Sequence, residues 1–341
     1  AGYDSFTSPM FGGFDGLNIT EIEPFRNSAM GASDNEFNNY AYNSIQQALQ
    51  SVSDPEVVEY NILSVPGLTN TKLTQQVIDV CDARADALAV IDLEKVYTPF
   101  TENKKSFQKR VSTPAEAVSS LRLRQVDSSY ACTYFPWVQI RDTISSRTLW
   151  APPSVIALGT MAGSEAKSEL WFAPAGFNRG GLSEGDAGLP VTGLTYKLTS
   201  KDRDSLYDAS INPIASFPSE GIVVFGQKTM QVQRSALDRI NVRRLMIFVK
   251  KEVSRIAAGL LFDQNVKTTW ARFTGQVNPF LSGIKSGLGL SEYKVVLDET
   301  TTTPDLVDQN IMYAKIFLKP ARAIEFIAVD FVITRTGASF E

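Results

Sequence analysis

The chain has 341 residues, 43% apolar and 21% charged, which suits one large folded domain or two ordinary ones rather than a disordered chain. A net charge of −4 and a pI near 5.2 leave no basic surplus for phosphate contacts, which argues against nucleic acid as a partner. There is no histidine, so Ser-His, Cys-His and His-ligated zinc chemistry are all excluded. No apolar run approaches the ~20 residues that cross a bilayer, so no stable membrane insertion is expected.

Residues 1–50 are rich in Gly, Asn, Ser and Phe and read as a loop-rich segment, with a short helix from Glu36 to Ser51 ending before Pro55. The chain opens without an initiator Met or a clear first element, as a fragment or processed chain would. Periodicity then switches regularly. "VEYNILSVPG" (58–67) is a strand, and Thr69 or Asn70 caps a helix through Leu73, Val77, Val80 and Cys81. "DALAVIDL" (86–93) is a nearly continuous apolar strand, the pattern of a sheet covered on both faces. "STPAEAVSSLRL" is a capped helix with Pro114 in its first turn, followed by the strand "YACTYFPWVQI". This alternation predicts a three-layer α/β unit. The two cysteines, Cys81 and Cys132, read as buried free thiols.

The middle, Trp150 to Thr229, is dense in Gly and Pro and reads as loops and short strands. The last third is clearer. Val242, Leu245, Met246, Val249, Val253, Ile256, Ala257 and Leu260 form one helical stripe. A second helix is expected from about Thr268 to Leu281, then a strand at "YKVVLDE". "YAKIFLKPARAIEFIAVDFVIT" is expected to close the chain as a hairpin or pair of strands. In it Ala314, Ile316 and Leu318 point one way while Lys315 and Lys319 guard the other, as on a managed sheet edge. The predicted class is α/β (α+β), a mixed sheet flanked by helices with loop-rich insertions. The expected divisions are 1–50, 51–229 and 230–341.

No motif carries catalysis. S-x-x-K occurs three times (Ser106, Ser164, Ser282) without the S-D-N and K-T-G that would give it meaning. "GFNRGGLSEGDAG" (176–188) lacks the G-K-[ST] ending of a phosphate cradle, and Asn18-Ile-Thr20 is a bare sequon. The acidic residues form no cluster of metal-like spacing. No catalytic, cofactor or metal site is therefore assigned. Arg243, Arg244, Lys250, Lys251 and Arg255 lie largely off the apolar stripe of their helix. Their plain reading is a solvated face. Five cations within 13 residues of an acidic chain tilt that reading toward an ionic contact with another copy.

The ordered motifs "FGGFDG" (11–16), "PWV" (136–138), "APPSVIALGTMA" (151–162), "WFAPAG" (171–176), "INPI" (211–214), "GIVVFGQKTM" (221–230), "INVRRL" (240–245), "FDQNVKTTW" (262–270) and "EFIAVDFVITRTG" (325–337) resemble the contractile tail sheath proteins of myovirus-type bacteriophages. Ser154-Val155 and Gln227-Lys228 depart from that family's usual Ser-Gly and Ala-Arg. The resemblance covers about residues 50–341 and implies a non-enzymatic virion subunit. Such subunits stack in six-fold rings around a tail tube and contract between baseplate and tail terminator, after assembly in the host cytoplasm. It further implies that terminal arms of neighbours add strands to the inner domain, residues 230–341, which faces the tube. It also implies that this chain is a C-terminal portion, monomeric in isolation because an arm is missing. The interface candidates are then Arg243, Arg244, Lys250, Lys251, Arg255, Lys315 and Lys319, facing a neighbour or the tube. Reversing Lys250 and Lys251 to Glu is expected to impair assembly while leaving the monomer's melting temperature nearly unchanged. The alternatives are an α/β enzyme acting through carboxylates or a serine, and a non-contractile virion lattice protein.

Overall fold

The computed structural model describes residues 25, 27–30, 39–142, 146–183, 185 and 187–325. In chain order, α1 (Asn27–Met30) and α2 (Tyr40–Ser51) lead into β1 (Ile62–Ser64), α3 (Thr71–Arg84), β2 (Leu88–Ile91), α4 (Pro114–Arg124) and β3 (Ala131–Phe135). Side-chain caps set the helix starts. Asn39 accepts from Tyr42 N, and Asn70 from Lys72 N and Leu73 N. Thr113 and Glu116 close a reciprocal capping box on α4, with Pro114 in its first turn.

β1, β2 and β3 pair in parallel. Alternate strand residues serve opposite layers. Ala89, Ile91, Ala131 and Phe135 pack with Leu73, Val77 and Cys81 of α3 and Leu121 of α4. Leu88, Val90, Cys132 and Tyr134 pack on the other face. Both faces of β2 and β3 are covered, so these strands are apolar at nearly every position, and the buried Thr133 hydroxyl donates to Ile91 O. Cys81 and Cys132 are buried and unbridged, as expected.

The middle departs from expectation. "YACTYFPWVQI" is two strands rather than one. β3 stops at a cis Phe135–Pro136 bond, and β4 (Val138–Arg141) leaves for a small antiparallel sheet between β5 (Thr148–Ala151) and, further on, β6 (Val191–Leu194). The stretch read as loop also contains two helices. α5 (Pro153–Lys167) starts at the double proline, whose fixed φ suits a first turn where no donor is needed. Its Gly159 is a packing requirement, because a Cβ there would lie 2.1 Å from the carbonyl oxygen of Ala187. α6 (Ser200–Asp208) is short and polar, held by a Thr199–Asp202 capping box. β7 (Asn212–Phe217) then joins β3 in parallel and β8 (Gly221–Val224) returns antiparallel. The result is a mixed five-stranded sheet, order β1-β2-β3-β7-β8, flanked by helices.

α7 (Ile240–Ala258) carries the expected stripe, and α8 (Lys267–Ser286) runs past the expected end at Leu281. β9 (Leu290–Val296), α9 (Pro304–Asp308) and β10 (Lys315–Pro320) follow, with β9 and β10 paired antiparallel. α7 belongs to two cores. Ile240 and Ile247 pack toward the central sheet, and Leu245 and Val249 toward Phe273, Val277 and Leu281 of α8. Most of the last expected strand, Ile324 to Ile333, lies outside the described residues, as do "FGGFDG" and Asn18. Among the described residues, no helix is long and apolar enough to cross a membrane.

Candidate assembly interface

The structure corrects the reading of the basic helix. Arg243 and Arg244 are each only 6% exposed. The first turns of α7 are enclosed between the central sheet and α8, so positions off the stripe are covered as well. Arg243 lies 3.9 Å over the Tyr130 ring, and its Nη2 donates to Ser129 Oγ. Arg244 Nη2 donates to Glu165 Oε2 at 2.7 Å, tying α7 to α5. Burial pulls both guanidinium pKa values down; Tyr130 and Asp82 oppose this at Arg243, and Glu165 opposes it at Arg244. These two side chains are spoken for inside the subunit, and neither is free to meet a neighbour.

The lysines are likewise engaged. Lys250 Nζ donates to the carbonyls of Ala85 (3.1 Å) and Arg84 (3.5 Å), at the C-terminus of α3. An ammonium there meets the negative end of the helix dipole. Lys251 Nζ donates to Tyr60 O and Asn61 Oδ1, both at 2.7 Å, beside the root of β1. Both make contacts within the subunit, so reversing them to Glu is expected here to cost the monomer stability rather than to spare it.

Lys250 is exposed despite these bonds, and three further candidates also stay on the surface. Arg255 is paired to Glu252 one turn away, with its side chain 77% exposed. Lys319 faces Glu292 at 3.2 Å across the ribbon, with both side chains about 70% exposed. Lys315 is exposed beside Tyr313. Exposure along β10 alternates strictly, with Lys315, Phe317 and Lys319 outward and Ile316 and Leu318 partly covered. β10 pairs with β9, and neither strand has another strand partner among the described residues.

The α7–α8 connection, "FDQNVKTTW" in the sequence, carried the family resemblance but no interface candidate. Phe262 is fully exposed and sits at φ 70°, in the left-handed region that aromatic residues avoid. The loop around it is well tied. Asp263 pairs with Arg272 at 2.7 Å, Trp270 Nε1 donates to Asn265 Oδ1, and Asn265 Nδ2 donates to Ile311 O. A rigid loop presenting Leu261, Phe262 and Val266 to solvent is preorganised for contact. Composition gave no signal for it, because Phe262 reads like any apolar residue after a stripe.

The buried ionisable groups belong to the fold. Asp92, at the end of β2, accepts from Ser154 Oγ (2.7 Å), Ser154 N (3.1 Å) and Gly67 N (2.9 Å). Burial pushes its pKa up to about 6 against those donors, and Cys81's thiol up to about 12. Among the described residues, no three His, Cys, Asp or Glu side chains converge as metal ligands.

Residues 39–230 match the profile of the phage tail sheath protein central domain, and residues 232–334 that of the phage tail sheath C-terminal domain. The chain belongs to the phage tail sheath family. This sheath chain is 36% identical over 215 residues to the tail sheath protein of Vibrio phage KVP40, covering 63% of this chain and 30% of that protein. It is 29% identical over 325 residues to the tail sheath protein of Salmonella phage ViI, covering 90% and 49%. The chain thus spans less than half the length of these relatives. Its fold is similar to that of a sheath complex of an extracellular contractile injection system (PVC) in the contracted state. The TM-score is 0.63 at 22% identity, covering 83% of this chain and 74% of the other.

Proposed function

We propose that the chain is the C-terminal portion of a contractile tail sheath subunit. It polymerises as six-fold rings around a tail tube, between baseplate and tail terminator, and shortens to drive the tube through the host envelope. In this reading it is a virion component assembled in the host cytoplasm, with no catalytic role. Residues 51–229 carry the α/β sheath body, and 230–341 form the inner unit that faces the tube. Membership of the sheath family supports this reading. The observation that carries it is the β9–β10 ribbon, which ends in an open, lysine-guarded edge. One face of the ribbon packs on α8, while the far edge of β10 has no strand partner among the described residues and is a template that a neighbour's strand would complete.

A contractile lattice holds identical subunits in two arrangements, so interfaces rather than cores rearrange. Arg255 and Lys319 suit such contacts. Both cations are themselves exposed, and exposed pairs stabilise little, so exchanging their partners for a neighbour's carboxylates has little penalty. Phe262 supplies an apolar contact to a second copy. Electron microscopy of the full-length protein expressed with its tail tube tests the reading. Tubes that exist in long and shortened forms support it, and monodisperse particles or tubes of one fixed length contradict it.

A further inference from the structure

The central sheet leaves an aromatic cluster uncovered at its β8 margin. Phe217 closes β7, Phe225 follows β8, and Phe177 stands on a loop alongside. The three rings touch one another, with centroids 5.0 to 5.7 Å apart. Rings in mutual contact ordinarily belong to a core, yet Phe177 is 49% and Phe225 40% exposed. The cluster is fixed in place. Gly176 N donates to Val224 O and Val224 N to Gly180 O, which pins the Phe177 loop on β8.

Arg203, from α6, lies over this cluster. Its guanidinium carbon is 5.1 Å from the Phe217 ring centroid and 6.0 Å from that of Phe225. Among the described residues no carboxylate pairs with it and no acceptor takes its N–H groups. A guanidinium held against aromatic rings with its donors unused is a preorganised receptor for a carboxylate. Beside an exposed apolar patch, it fits an acidic segment that also carries an aliphatic side chain.

The chain itself contains such a segment. The turn "DPEVVE" (54–59) joins α2 to β1 and is exposed throughout. Asp54 Oδ1 accepts from Glu56 N, and Asp54 O accepts from Val57 N and Val58 N. The buried Arg84 holds both ends, donating to Val52 O and Val58 O at 2.9 Å. Val57 is thus presented on a rigid turn between Glu56 and Glu59. Among the described residues Asp54 and Glu56 have no cation, and Glu59 has only Lys251 at 3.9 Å.

β1 and β8 are the outer strands of the five-stranded sheet. Four strand spacings separate them, roughly 19 Å. The turn leads into β1 and the cluster flanks β8, so the two features stand at opposite margins of one subunit. They cannot meet within a copy, but they can meet between two. A surface on one margin that fits a different surface on the other makes a head-to-tail contact, the kind that generates rings and open helices.

We propose that the turn 54–59 of one copy docks on the Phe177, Phe217 and Phe225 cluster of the next. Val57 seats on the rings, and a carboxylate of the turn, Glu56 or Glu59, takes the Arg203 donors. Charge complementarity selects a second copy as the occupant, since each side carries the charge that the other lacks. This rests on the sheath reading above and adds a contact between the folded bodies of two subunits, independent of β9 and β10.

The test places Val57→Cys and Asn178→Cys in the full-length protein, assembles it with its tail tube, and reads a non-reducing gel after mild oxidation. Both positions are exposed, the anchoring rings are untouched, and Cys81 and Cys132 are buried. A disulfide requires Cα atoms within about 7 Å. The double variant should give a ladder of linked subunits, and tubes mixed from the two single variants should give dimers and nothing longer. Each single variant alone should run as a monomer. Arg203→Glu added to the double variant should cut the linked fraction several-fold, and Glu56→Arg with Glu59→Arg should restore it in part. Tubes of the double variant without cross-links, in long and shortened forms alike, overturn the contact. Equal cross-linking in either single variant also overturns it, and linkage unmoved by Arg203→Glu overturns its ionic part. Absence of tubes from the unaltered protein contradicts the sheath reading instead. Wherever tubes fail, the same gel on concentrated subunits decides the contact, dimers supporting it and monomers overturning it.

Discussion

Lys251 is the residue on which sequence and structure differ most usefully. Its ammonium replaces two hydrogen-bond donors that the backbone of Tyr60 and the side chain of Asn61 would otherwise seek from water. Asp86 and Glu59 lie 3.9 Å away. Lys251→Glu places a carboxylate against a carbonyl and beside two acids. We predict a loss of about 1–3 kcal/mol in subunit stability, read as a lower denaturant midpoint. An unchanged midpoint would return Lys251 to the surface. Asp92 gives a second prediction. An acid whose folded pKa lies above its unfolded value binds its proton more tightly when folded. That share of stability is full below about pH 4 and is lost as the pH rises to about 6. Asp92→Asn cannot titrate. The stability of the native chain relative to this variant should therefore fall between pH 4 and 6, by up to about 3 kcal/mol. A difference flat with pH would show that the site is solvated. The cysteines were legible because small apolar thiols on apolar faces have few other readings. Arg243 and Arg244 were not, because periodicity gives the angle of a residue around its helix but not what covers it.

Elements with strong local codes were read correctly from the sequence. The capped starts of α3 and α4, the continuous apolar run of β2 and the stripe of α7 each have a short-range physical cause. α5 was misread because its signals conflict. Two prolines and two glycines mark a loop, yet the prolines start the helix and Gly159 admits the backbone at Ala187. Gly→Ala within a helix ordinarily stabilises by about 0.5–1 kcal/mol. Gly159→Ala should instead destabilise by about 1–3 kcal/mol, since the new methyl overlaps a backbone oxygen that cannot swing away. Thermal or chemical unfolding decides the sign, and a stabilised variant would mean the Ala187 loop yields. β10 carries the complementary prediction. Replacing Lys315 and Lys319 with Val removes the charges that guard its open edge. Light scattering should then show concentration-dependent self-association of this chain, whereas a monomer at all concentrations would mean the edge is already shielded.

At the scale of the whole molecule, seven candidate cations resolve into two groups. Arg243, Arg244, Lys250 and Lys251 bond to other elements of the subunit, Lys250 with its side chain still exposed, while Arg255, Lys315 and Lys319 remain on its surface. In the proposed reading, the surface group, the β10 edge and Phe262 together would delimit where copies meet. Phe262→Ser should leave the melting temperature within about a degree, since a fully exposed ring contributes no burial. The same change should cut tube yield several-fold, because exposed anchors at interfaces carry much of the binding energy. The central claim is that the subunit is completed at β10 by its neighbours. A helical reconstruction of the full-length protein around its tube, at a resolution that traces strands, tests this most directly. The account predicts a strand from an adjacent copy hydrogen-bonded to the outer edge of β10, in extended and contracted tubes alike. A lattice in which that edge faces solvent or bulk tube surface, with no added strand in either state, would contradict it.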